Sequence, residues 1–427
     1  MLTKDLAMKA TEKPVDVVVA GHVCLDVIPR FRPASAGSLT EVMVPGKLVN
    51  VDEAAISTGG AVSNTGLAMI RLGARTLLMG KVGQDFFGTG VLAKFSEWGS
   101  NVASAMTVVP GENTSYSVVL APPEIDRMFL HNPGANDTFC SRDINYGLVW
   151  QARLFHLGYP PLMRALYANE ARELVAIYRR VKELDVTTSM DMTLPDPSSE
   201  SGRLNWRAML EDVLPLVDIA PFSAEEAMFM LDRQRFDQRK RQAGQGSPLE
   251  AYTPDDFLWI GRELLDLGAA IALVKCGERG ILLLTAGAER IAAMGAACPK
   301  LPERWANRAL WEEAFLVEKI VSATGAGDCT IAGFLVALLR GCDPEHSLRT
   351  ASCVGAQNVK VLDAVSGVHT WEETQAMMRT WPKRRQITGA GWCYCDTLRL
   401  WRHESDAAAA HGRDTGRDFR QEGIVSL

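Results

Sequence analysis

The sequence predicts an α/β fold in which a mostly parallel sheet is covered by helices on both faces. Short apolar segments typical of buried strands alternate with longer segments of helical periodicity. The first such strand is the β-branched run at residues 15–20 (VDVVVA), which ends at Gly21. Residues 57–73 then begin with a Gly-rich turn and continue as a helix that stops at Gly73. Residues 76–82 are again strand-like.

The same alternation continues along the chain. Further strands are predicted at residues 154–157, 187–192, 217–220 and 270–275. Further helices are predicted at residues 86–98, 162–184, 257–267 and 331–339. This order is typical of parallel strands joined by helices. His156 lies in one of the strands and is predicted to be a buried core histidine.

Four segments depart from the alternation. Residues 37–56 and 113–131 are β-rich without a helix between their strands. Each could be an antiparallel excursion, and together they could form a small β lid over a site. The Arg- and Gln-rich segment at residues 233–256 is predicted to be an insertion with a solvated basic helix face. Residues 387–427 lose the pattern and are predicted to form a flexible C-terminal tail.

Composition argues against several classes of partner. Lys and Arg number 45 and Asp and Glu number 51, which gives a net charge of −6. There is thus no electrostatic reason to expect nucleic acid or an anionic membrane surface as partner. No window approaches the roughly 18 apolar residues of a membrane span, and the first residues lack the apolar stretch of a secretory signal. The nine scattered cysteines are typical of free thiols in a reducing compartment, so a cytoplasmic location is expected.

A Gly-rich segment at residues 322–328 (SATGAGD) precedes the most apolar predicted helix. It would place Gly325, Ala326 and Gly327 at a helix N-terminus, where free backbone N–H groups attract anions and glycines let a phosphate approach closely. Asp328 would lie in the first turn, well placed to accept a proton from an attacking hydroxyl. An ordinary tight turn followed by a favourable first-turn acid is the alternative. The heptapeptide alone leaves both interpretations open.

The SATGAGD segment resembles the C-terminal signature of the PfkB (ribokinase-like) carbohydrate kinase family, usually written DTxGAGD. The N-terminal signature of that family resembles residues 58–64 (TGGAVSN), about 260 residues earlier. Other family-like segments are GHVCLD at 21–26, KVGQDFFG at 81–88, NPGAND at 132–137 and VKCGERG at 274–280. Two signatures in the right order are far more specific than either alone. The resemblance covers residues 15–382 or so.

This resemblance implies a ribokinase-like three-layer α/β/α fold over residues 15–386, with a mostly parallel central sheet and a small β lid. It also implies transfer of the γ-phosphate of ATP to a hydroxyl of a sugar or sugar derivative. Asp328 would be the general base, and Gly325, Ala326 and Gly327 would form the anion hole. The residues implied to hold substrate hydroxyls are Asp26, Gly59, Gly60 and Asn64. Those implied to line the nucleotide site are Gly277 and Asn358.

Two departures from the family pattern concern bound ions. The leading Asp-Thr of the signature is Ser322-Ala323 here. Because that Asp helps hold a monovalent cation in ribokinase-like enzymes, such a cation is doubtful as a cofactor. The family's NxxE motif, linked to Mg²⁺, corresponds to residues 223–226 (SAEE), in which Glu226 is kept. Mg²⁺ is still expected because ATP-dependent phosphoryl transfer needs charge neutralisation, although Glu226 could also form a capping box with Ser223.

A sugar kinase is the first hypothesis for function. A nucleoside or pseudouridine-type kinase is the alternative, and a catalytically inactive ribokinase-like binding protein is a weaker one, against which the retained Asp328 and its loop argue. The lid discriminates between the substrates, because apolar or aromatic residues over a base would favour a nucleoside. Tyr116 and Phe129 lie in the right region. The lid could also pair two copies of the chain as a homodimer.

Overall fold

A computed structural model of the chain describes residues 13–32, 44–121, 128–244, 246–384 and 387–407. In chain order the strands are β1 (Val15–Gly21), β2 (Cys24–Phe31), β3 (Val51–Gly59), β4 (Thr76–Met79), β5 (Lys81–Gly83), β6 (Thr107–Val109), β7 (Tyr116–Leu120), β8 (Met128–Asn132), β9 (Ala152–Gly158), β10 (Thr187–Asp191), β11 (Ile219–Ala220), β12 (Ile271–Lys275), β13 (Ile281–Thr285), β14 (Ala309–Glu312), β15 (Trp392–Cys395) and β16 (Leu400–His403). The helices are α1 (Ala61–Arg71), α2 (Phe86–Ser96), α3 (Tyr146–Trp150), α4 (Arg164–Lys182), α5 (Trp206–Val213), α6 (Ala224–Leu231), α7 (Arg233–Ala243), α8 (Pro254–Asp266), α9 (Ala288–Ala292), α10 (Pro302–Trp305), α11 (Ala326–Leu339), α12 (Pro344–Asn358) and α13 (Trp371–Thr380). Helix α4 is interrupted at residues 168–171, where the backbone leaves the helical region.

The main sheet has the strand order β15-β16-β14-β13-β12-β11-β10-β9-β1-β4 within the described residues. The pairings from β4 through β12 are parallel, and those from β12 to β15 are antiparallel. Parallel strands need crossover connections, and the predicted helices supply them. The predicted mostly parallel sheet is therefore confirmed.

Side chains of β1 alternate between two cores on opposite faces of the main sheet. Val17 and Val19 belong to a cluster that includes apolar residues of α1 and α11. Val18 and Ala20 belong to a second cluster that includes residues of α4 and α5. Because successive strand residues point to opposite faces, this division shows that helices cover both faces and confirms the three-layer arrangement.

A smaller sheet in the order β3-β2-β7-β8, called the lid sheet below, corresponds to the predicted β lid. Strand β2 was not predicted to belong to it, yet β2 is central and pairs antiparallel with β3 and parallel with β7. Strands β7 and β8 form an antiparallel pair. The first residues of β3 are exposed and the last two are buried, so this strand runs from solvent into the body of the protein. Residues 37–43 and 122–127 of the predicted lid segments lie outside the described residues.

The prediction of a flexible tail from residue 387 is wrong for residues 387–407, which add β15 and β16 to the edge of the main sheet. Trp392 is 6% exposed and packs edge-on against Trp311, with ring centroids 5.3 Å apart. Asp406 accepts hydrogen bonds from Arg308 Nε at 3.0 Å and from the Ala309 N–H at 2.8 Å. These buried contacts offset the entropy that ordering the segment costs. Residues 408–427 lie outside the described residues.

Much of the predicted insertion forms α7, and its basic residues are not all solvated. Arg235 and Arg239 both pair with Asp256, which is fully buried, at 2.5 and 2.8 Å. A buried carboxylate requires such partners, so this part of the basic cluster has a structural role. Within the described ranges, no helix combines the length and the apolar character that a bilayer span requires.

His156 is a buried core histidine, as predicted. It is fully buried on β9, and its Nδ1 lies 3.0 Å from the Ser189 hydroxyl on β10. Burial lowers the pKa of His156 to about 3. An unfolded histidine titrates near pH 6.5, so between about pH 3 and pH 6.5 the unfolded state binds the additional proton. The free energy of unfolding must therefore fall as the pH falls through this window.

We predict that His156→Asn makes the stability of the protein less sensitive to acid. Between about pH 7.5 and pH 5.5 this histidine should account for a loss of about 1.4 kcal/mol in the free energy of unfolding, which the variant should not show. Urea unfolding of both proteins at the two pH values measures the difference. An equal pH dependence in the two proteins would contradict the prediction.

Candidate active site

A cavity of about 530 Å³ lies at the carboxyl ends of β9, β10 and β12. Tyr159 follows β9 directly, Asp191 ends β10 and Lys275 ends β12, and all three line the cavity. The loop before α11 and the first turn of α11 complete this part of the wall. Crevices outside the carboxyl ends of parallel strands are the usual ligand sites of α/β folds, and this volume is in the range of small-molecule sites.

The N-terminus of α11 presents Gly325, Ala326 and Gly327 to the cavity, as the sequence predicted for an anion hole. Gly325 has φ of +75°, and a Cβ atom there would lie 2.5 Å from the carbonyl oxygen of Ala364. Only glycine fits this position without displacing its neighbour. The N–H groups of a first helical turn lack intrahelical partners and attract anions, so this end of the cavity suits a phosphate.

Asp328 is 3% exposed and lies in the first turn of α11. Asn64 Nδ2 donates to its Oδ2 at 3.0 Å, and the Thr65 hydroxyl donates to its Oδ1 at 3.3 Å. The structure thus brings together the predicted base and one predicted substrate residue, 264 positions apart. The Tyr159 hydroxyl lies 2.8 and 2.7 Å from the two carboxylate oxygens.

Tyr159 and Thr65 were not predicted as site residues. Thr65 directly follows the TGGAVSN segment. Tyr159 lies two positions after the end of the strand predicted at residues 154–157. The carboxyl end of a parallel strand is a usual place for functional side chains. The position of Tyr159 just after a predicted parallel strand could therefore have identified it as a candidate site residue.

Charged side chains cluster on the cavity wall beside the anion hole. Lys275 Nζ lies 2.9 Å from Asp191 Oδ1, and both side chains are largely buried. Burial raises the pKa of Asp191. Burial alone would lower the pKa of Lys275, but the neighbouring carboxylates of Asp191 and Glu226 raise it, so the ammonium stays charged. A Cβ atom at Gly327 would lie 3.4 Å from Lys275 Nζ, which places this cation next to the anion hole.

Glu226, the predicted magnesium residue, lies in the cavity wall and also caps its own helix. Its Oε2 accepts from the Ser223 N–H at 2.9 Å, and the Ser223 hydroxyl accepts from the Glu226 N–H at 3.3 Å. Burial raises the pKa of Glu226. In the part of the chain that the structure describes, no three His, Cys, Asp or Glu side chains form a metal-binding group.

The other predicted substrate residues, Asp26, Gly59 and Gly60, lie where the lid sheet meets the body. A Cβ atom at Gly59 would lie 2.4 Å from Asp26 Oδ2, and one at Gly60 would lie 2.5 Å from His22 Nδ1. The two glycines therefore allow Asp26 and His22 to approach the backbone. The Cys24 thiol donates to Asp26 Oδ1 at 3.2 Å.

Polar side chains of the lid sheet face His22 of the body. His131 Nε2 on β8 lies 3.3 Å from His22 Nε2, and His131 Nδ1 lies 3.0 Å from the Ser117 hydroxyl on β7. Burial lowers the pKa of His22 to about 3 and also lowers the pKa of His131, so both imidazoles are neutral near pH 7. A neutral imidazole has one donor and one acceptor nitrogen. A neutral imidazole can therefore either accept a hydrogen bond from a hydroxyl group or donate one to it.

The two aromatic residues considered for a nucleoside site lie on opposite faces of the lid sheet. Tyr116 lies on the face opposite to Ser117 and stacks on Phe87 with ring centroids 4.9 Å apart. Phe129 lies on the same face of β8 as His131 and is 49% exposed to solvent.

The two predicted nucleotide residues have different positions. Gly277 lines the cavity, and a Cβ atom there would lie 3.1 Å from Leu249 Cδ1, so the insertion contributes to this wall. Asn358 is fully buried, and its Nδ2 donates to the Thr324 carbonyl at 3.0 Å. Asn358 therefore supports the anion-hole loop from behind. Ser322, which replaces the Asp of the signature, accepts a hydrogen bond from the Thr324 N–H at 3.1 Å.

The fold and the site together define a carbohydrate kinase of the ribokinase-like type. A family model described as "pfkB family carbohydrate kinase" matches residues 16–371, and the chain belongs to this family. It is 26% identical over 372 residues to the probable fructokinase-6, chloroplastic, of Arabidopsis thaliana, a match that covers 85% of this chain and 82% of the relative. It is 24% identical over 304 residues to an uncharacterized sugar kinase of Archaeoglobus fulgidus, covering 71% and 98% of the two chains.

Solved structures of similar fold agree with this assignment. Arabidopsis thaliana ribokinase complexed with ribose and ATP superposes with a TM-score of 0.63 at 17% identity, covering 86% of this chain and 99% of that one. Burkholderia thailandensis nucleoside kinase in complex with inosine gives a TM-score of 0.58 at 16% identity, covering 85% and 98%. These similarities establish the ribokinase-like fold.

Proposed function

We propose that this protein transfers the γ-phosphate of ATP to a hydroxyl of a sugar or sugar derivative, with Asp328 as general base. The observation that carries the proposal is the position of Asp328. Its carboxylate lies at the N-terminus of α11, beside a cavity large enough for a nucleotide, and accepts a hydrogen bond from Asn64 at the end nearer the lid sheet. A carboxylate between these two regions can act on an acceptor hydroxyl that faces the terminal phosphate.

In the proposed reaction the acceptor oxygen attacks the γ-phosphorus while Asp328 takes the proton of the hydroxyl. The new bond joins the acceptor oxygen to phosphorus, the bond from the γ-phosphorus to the bridging oxygen breaks, and ADP leaves with the electron pair. Negative charge on the transferred group would be stabilised by the N–H groups at the N-terminus of α11. Gly325 and Gly327 let the phosphate approach these groups closely.

Lys275 would supply a fixed positive charge at the same place. Its ammonium is held by Asp191 at 2.9 Å and lies next to Gly327. Mg²⁺ on the ATP phosphates, held from the protein side by Glu226, would neutralise further charge when bound. Ser322-Ala323 stand in place of the signature's Asp-Thr, so a monovalent cation stays a doubtful cofactor.

A sugar is the better-supported acceptor, because Ser117 and His131 of the lid sheet form a polar cluster with His22, which lies next to Gly60. These polar groups suit hydroxyls, and the relatives of this chain include proteins named fructokinases and a sugar kinase. A nucleoside kinase is among the similar structures, and Phe129, on the same face of β8 as His131, is the one aromatic residue of the two that fits this second candidate. Pairing of two copies through the lid sheet and a cytoplasmic location stay predictions.

We predict that Asp328→Asn abolishes most phosphoryl transfer while ATP still binds. The substitution keeps the shape of the side chain and removes the base, so transfer should fall by a factor of about 10² to 10⁴. The rate is measured by ADP formation with Mg-ATP and a panel that includes D-fructose, D-ribose and inosine. Asp343→Asn is the matched control, since Asp343 also begins a helix, accepting from the His346 N–H at 2.7 Å, and Asn caps a helix equally well.

Wild-type rates in Asp328→Asn would contradict the role of Asp328. A wild-type protein that neither binds ATP nor phosphorylates any member of the panel would contradict the kinase proposal itself. Preferential transfer to inosine would favour the nucleoside alternative.

We predict that Lys275→Met lowers kcat/KM for ATP by a factor of about 10², because a preorganised cation beside the transferred group is lost. Asp191→Asn is the comparison, since it removes the ion-pair partner and keeps the ammonium. The asparagine variant should lose less activity than the methionine variant. Equal losses in both variants would show that Lys275 acts only by pairing with Asp191.

A further inference from the structure

Tyr159 makes the shortest contacts to the proposed base. Its hydroxyl lies 2.8 Å from Oδ1 and 2.7 Å from Oδ2 of Asp328, so it can donate its proton to either carboxylate oxygen. The side chain also forms part of the wall of the 530 Å³ cavity. Burial, together with the carboxylates of Asp328 and Asp191, raises the pKa of Tyr159 well above its usual value, so the hydroxyl keeps its proton.

The backbone of Tyr159 is held in an uncommon conformation. Its φ of 67° and ψ of 42° lie in the left-handed region, which residues with a side chain seldom adopt. The Tyr159 N–H donates to the Asp191 carbonyl at 3.1 Å, and the 3₁₀ turn Pro160–Leu162 follows at once. Such conformations persist where the surroundings determine them, and they cluster at functional sites. The turn directs the tyrosine from the end of β9 towards Asp328.

The position of the hydroxyl matches the chemical requirement for an acceptor. A general base must lie within hydrogen-bonding distance of the proton that it removes. Asn64, Thr65 and Tyr159 all donate to Asp328, and of these three Tyr159 makes the shortest contacts and lines the cavity. A sugar hydroxyl must therefore replace it before transfer. A sugar brings several hydroxyls that can bind other groups, such as the imidazoles near the lid sheet, and these contacts can offset the loss of the tyrosine hydrogen bond. A single water molecule has no such additional contacts.

We propose that Tyr159 is a positioning residue that occupies the acceptor place on Asp328 until a sugar arrives, and thereby suppresses transfer of the phosphate to water. This inference rests on the proposed role of Asp328. In the suppressed reaction a water oxygen bonds to the γ-phosphorus, the bond to the bridging oxygen breaks, Asp328 takes a proton of the water, and ADP and inorganic phosphate are released. With the tyrosine hydroxyl in place, a water molecule must compete with it for the carboxylate oxygens.

The test is the release of inorganic phosphate from Mg-ATP by the full-length chain without any sugar. Tyr159→Phe should release phosphate about tenfold faster than the wild type, which corresponds to the loss of one hydrogen bond. Tyr159→Ala, which also removes the ring, should be at least as fast. If Tyr159 had only a structural role, its loss would damage the fold and lower the rate of phosphate release. An increased rate would therefore distinguish the proposed role from a structural one.

Tyr178→Phe is the matched control. Tyr178 is a fully buried tyrosine, and its hydroxyl donates to the Ser189 carbonyl at 2.9 Å, away from Asp328. This variant should release phosphate at the wild-type rate. The inference is overturned if neither Tyr159 variant, shown to be folded by circular dichroism, exceeds Tyr178→Phe.

The double variant Tyr159→Phe/Asp328→Asn separates the two proposals. If Asp328 is the base, the gained hydrolysis should disappear in the double variant. Gained hydrolysis that persists there would show that water does not use Asp328, which would overturn the inference and count against the proposed base. Loss of transfer in Asp328→Asn together with unchanged hydrolysis in both Tyr159 variants would overturn the role of Tyr159 alone.

Discussion

The hydrogen bond from Asn64 to Asp328 joins the two halves of the site across 264 residues, at 3.0 Å. It exists because α1 and α11 pack together in the same core as Val17 and Val19 of β1. Both residues lie in the N-terminal parts of their helices, close to the carboxyl ends of parallel strands. The packing of two apolar helices on one face of the main sheet thus places the proposed base, Asp328, next to Asn64, a predicted substrate residue. This contact connects the anion hole and the cavity with the residues near the lid sheet.

Electrostatics explains why the cavity wall can bind phosphates although it contains acids. Lys275 is held by Asp191, and its positive charge lies beside Gly327 rather than in solvent. Charges act more strongly in such a buried place than in water. The neighbouring Glu226 has a pKa raised by burial, a state that a bound cation would reverse. The wall thus combines a fixed cation and a helix N-terminus with a carboxylate suited to a phosphate-bound metal ion.

Local patterns predicted the features that depend on short stretches of sequence. The buried run at residues 15–20, the glycines before α11 and Asp328 each have a clear signal within a few residues. The assignment of Asn64 and Asp328 to one site came from two signatures that only a family resemblance connects, and their direct contact was not predicted. The substrate role of Gly59 and Gly60 stays a prediction, and the lack of a side chain at both also lets Asp26 and His22 approach the backbone.

Features that depend on register or on distant contacts were not predictable in this way. The pair of Lys275 and Asp191 joins the ends of two strands, β12 and β10, that β11 separates in the main sheet. The strands at residues 392–403 are held in place by the contact of Trp392 with Trp311 and by that of Asp406 with Arg308, partners about 80 to 100 positions earlier in the chain. No local pattern reveals contacts between residues so far apart in the sequence.

The central claim is that the N-terminus of α11 receives the phosphate beside Asp328. A crystal structure of the protein with Mg²⁺ and a non-hydrolysable ATP analogue tests it most directly. The claim predicts the terminal phosphate within hydrogen-bonding distance of backbone N–H groups of residues 325–328, next to Lys275 and facing Asp328. A terminal phosphate bound away from α11, with Asp328 on the far side of the nucleotide, would contradict it.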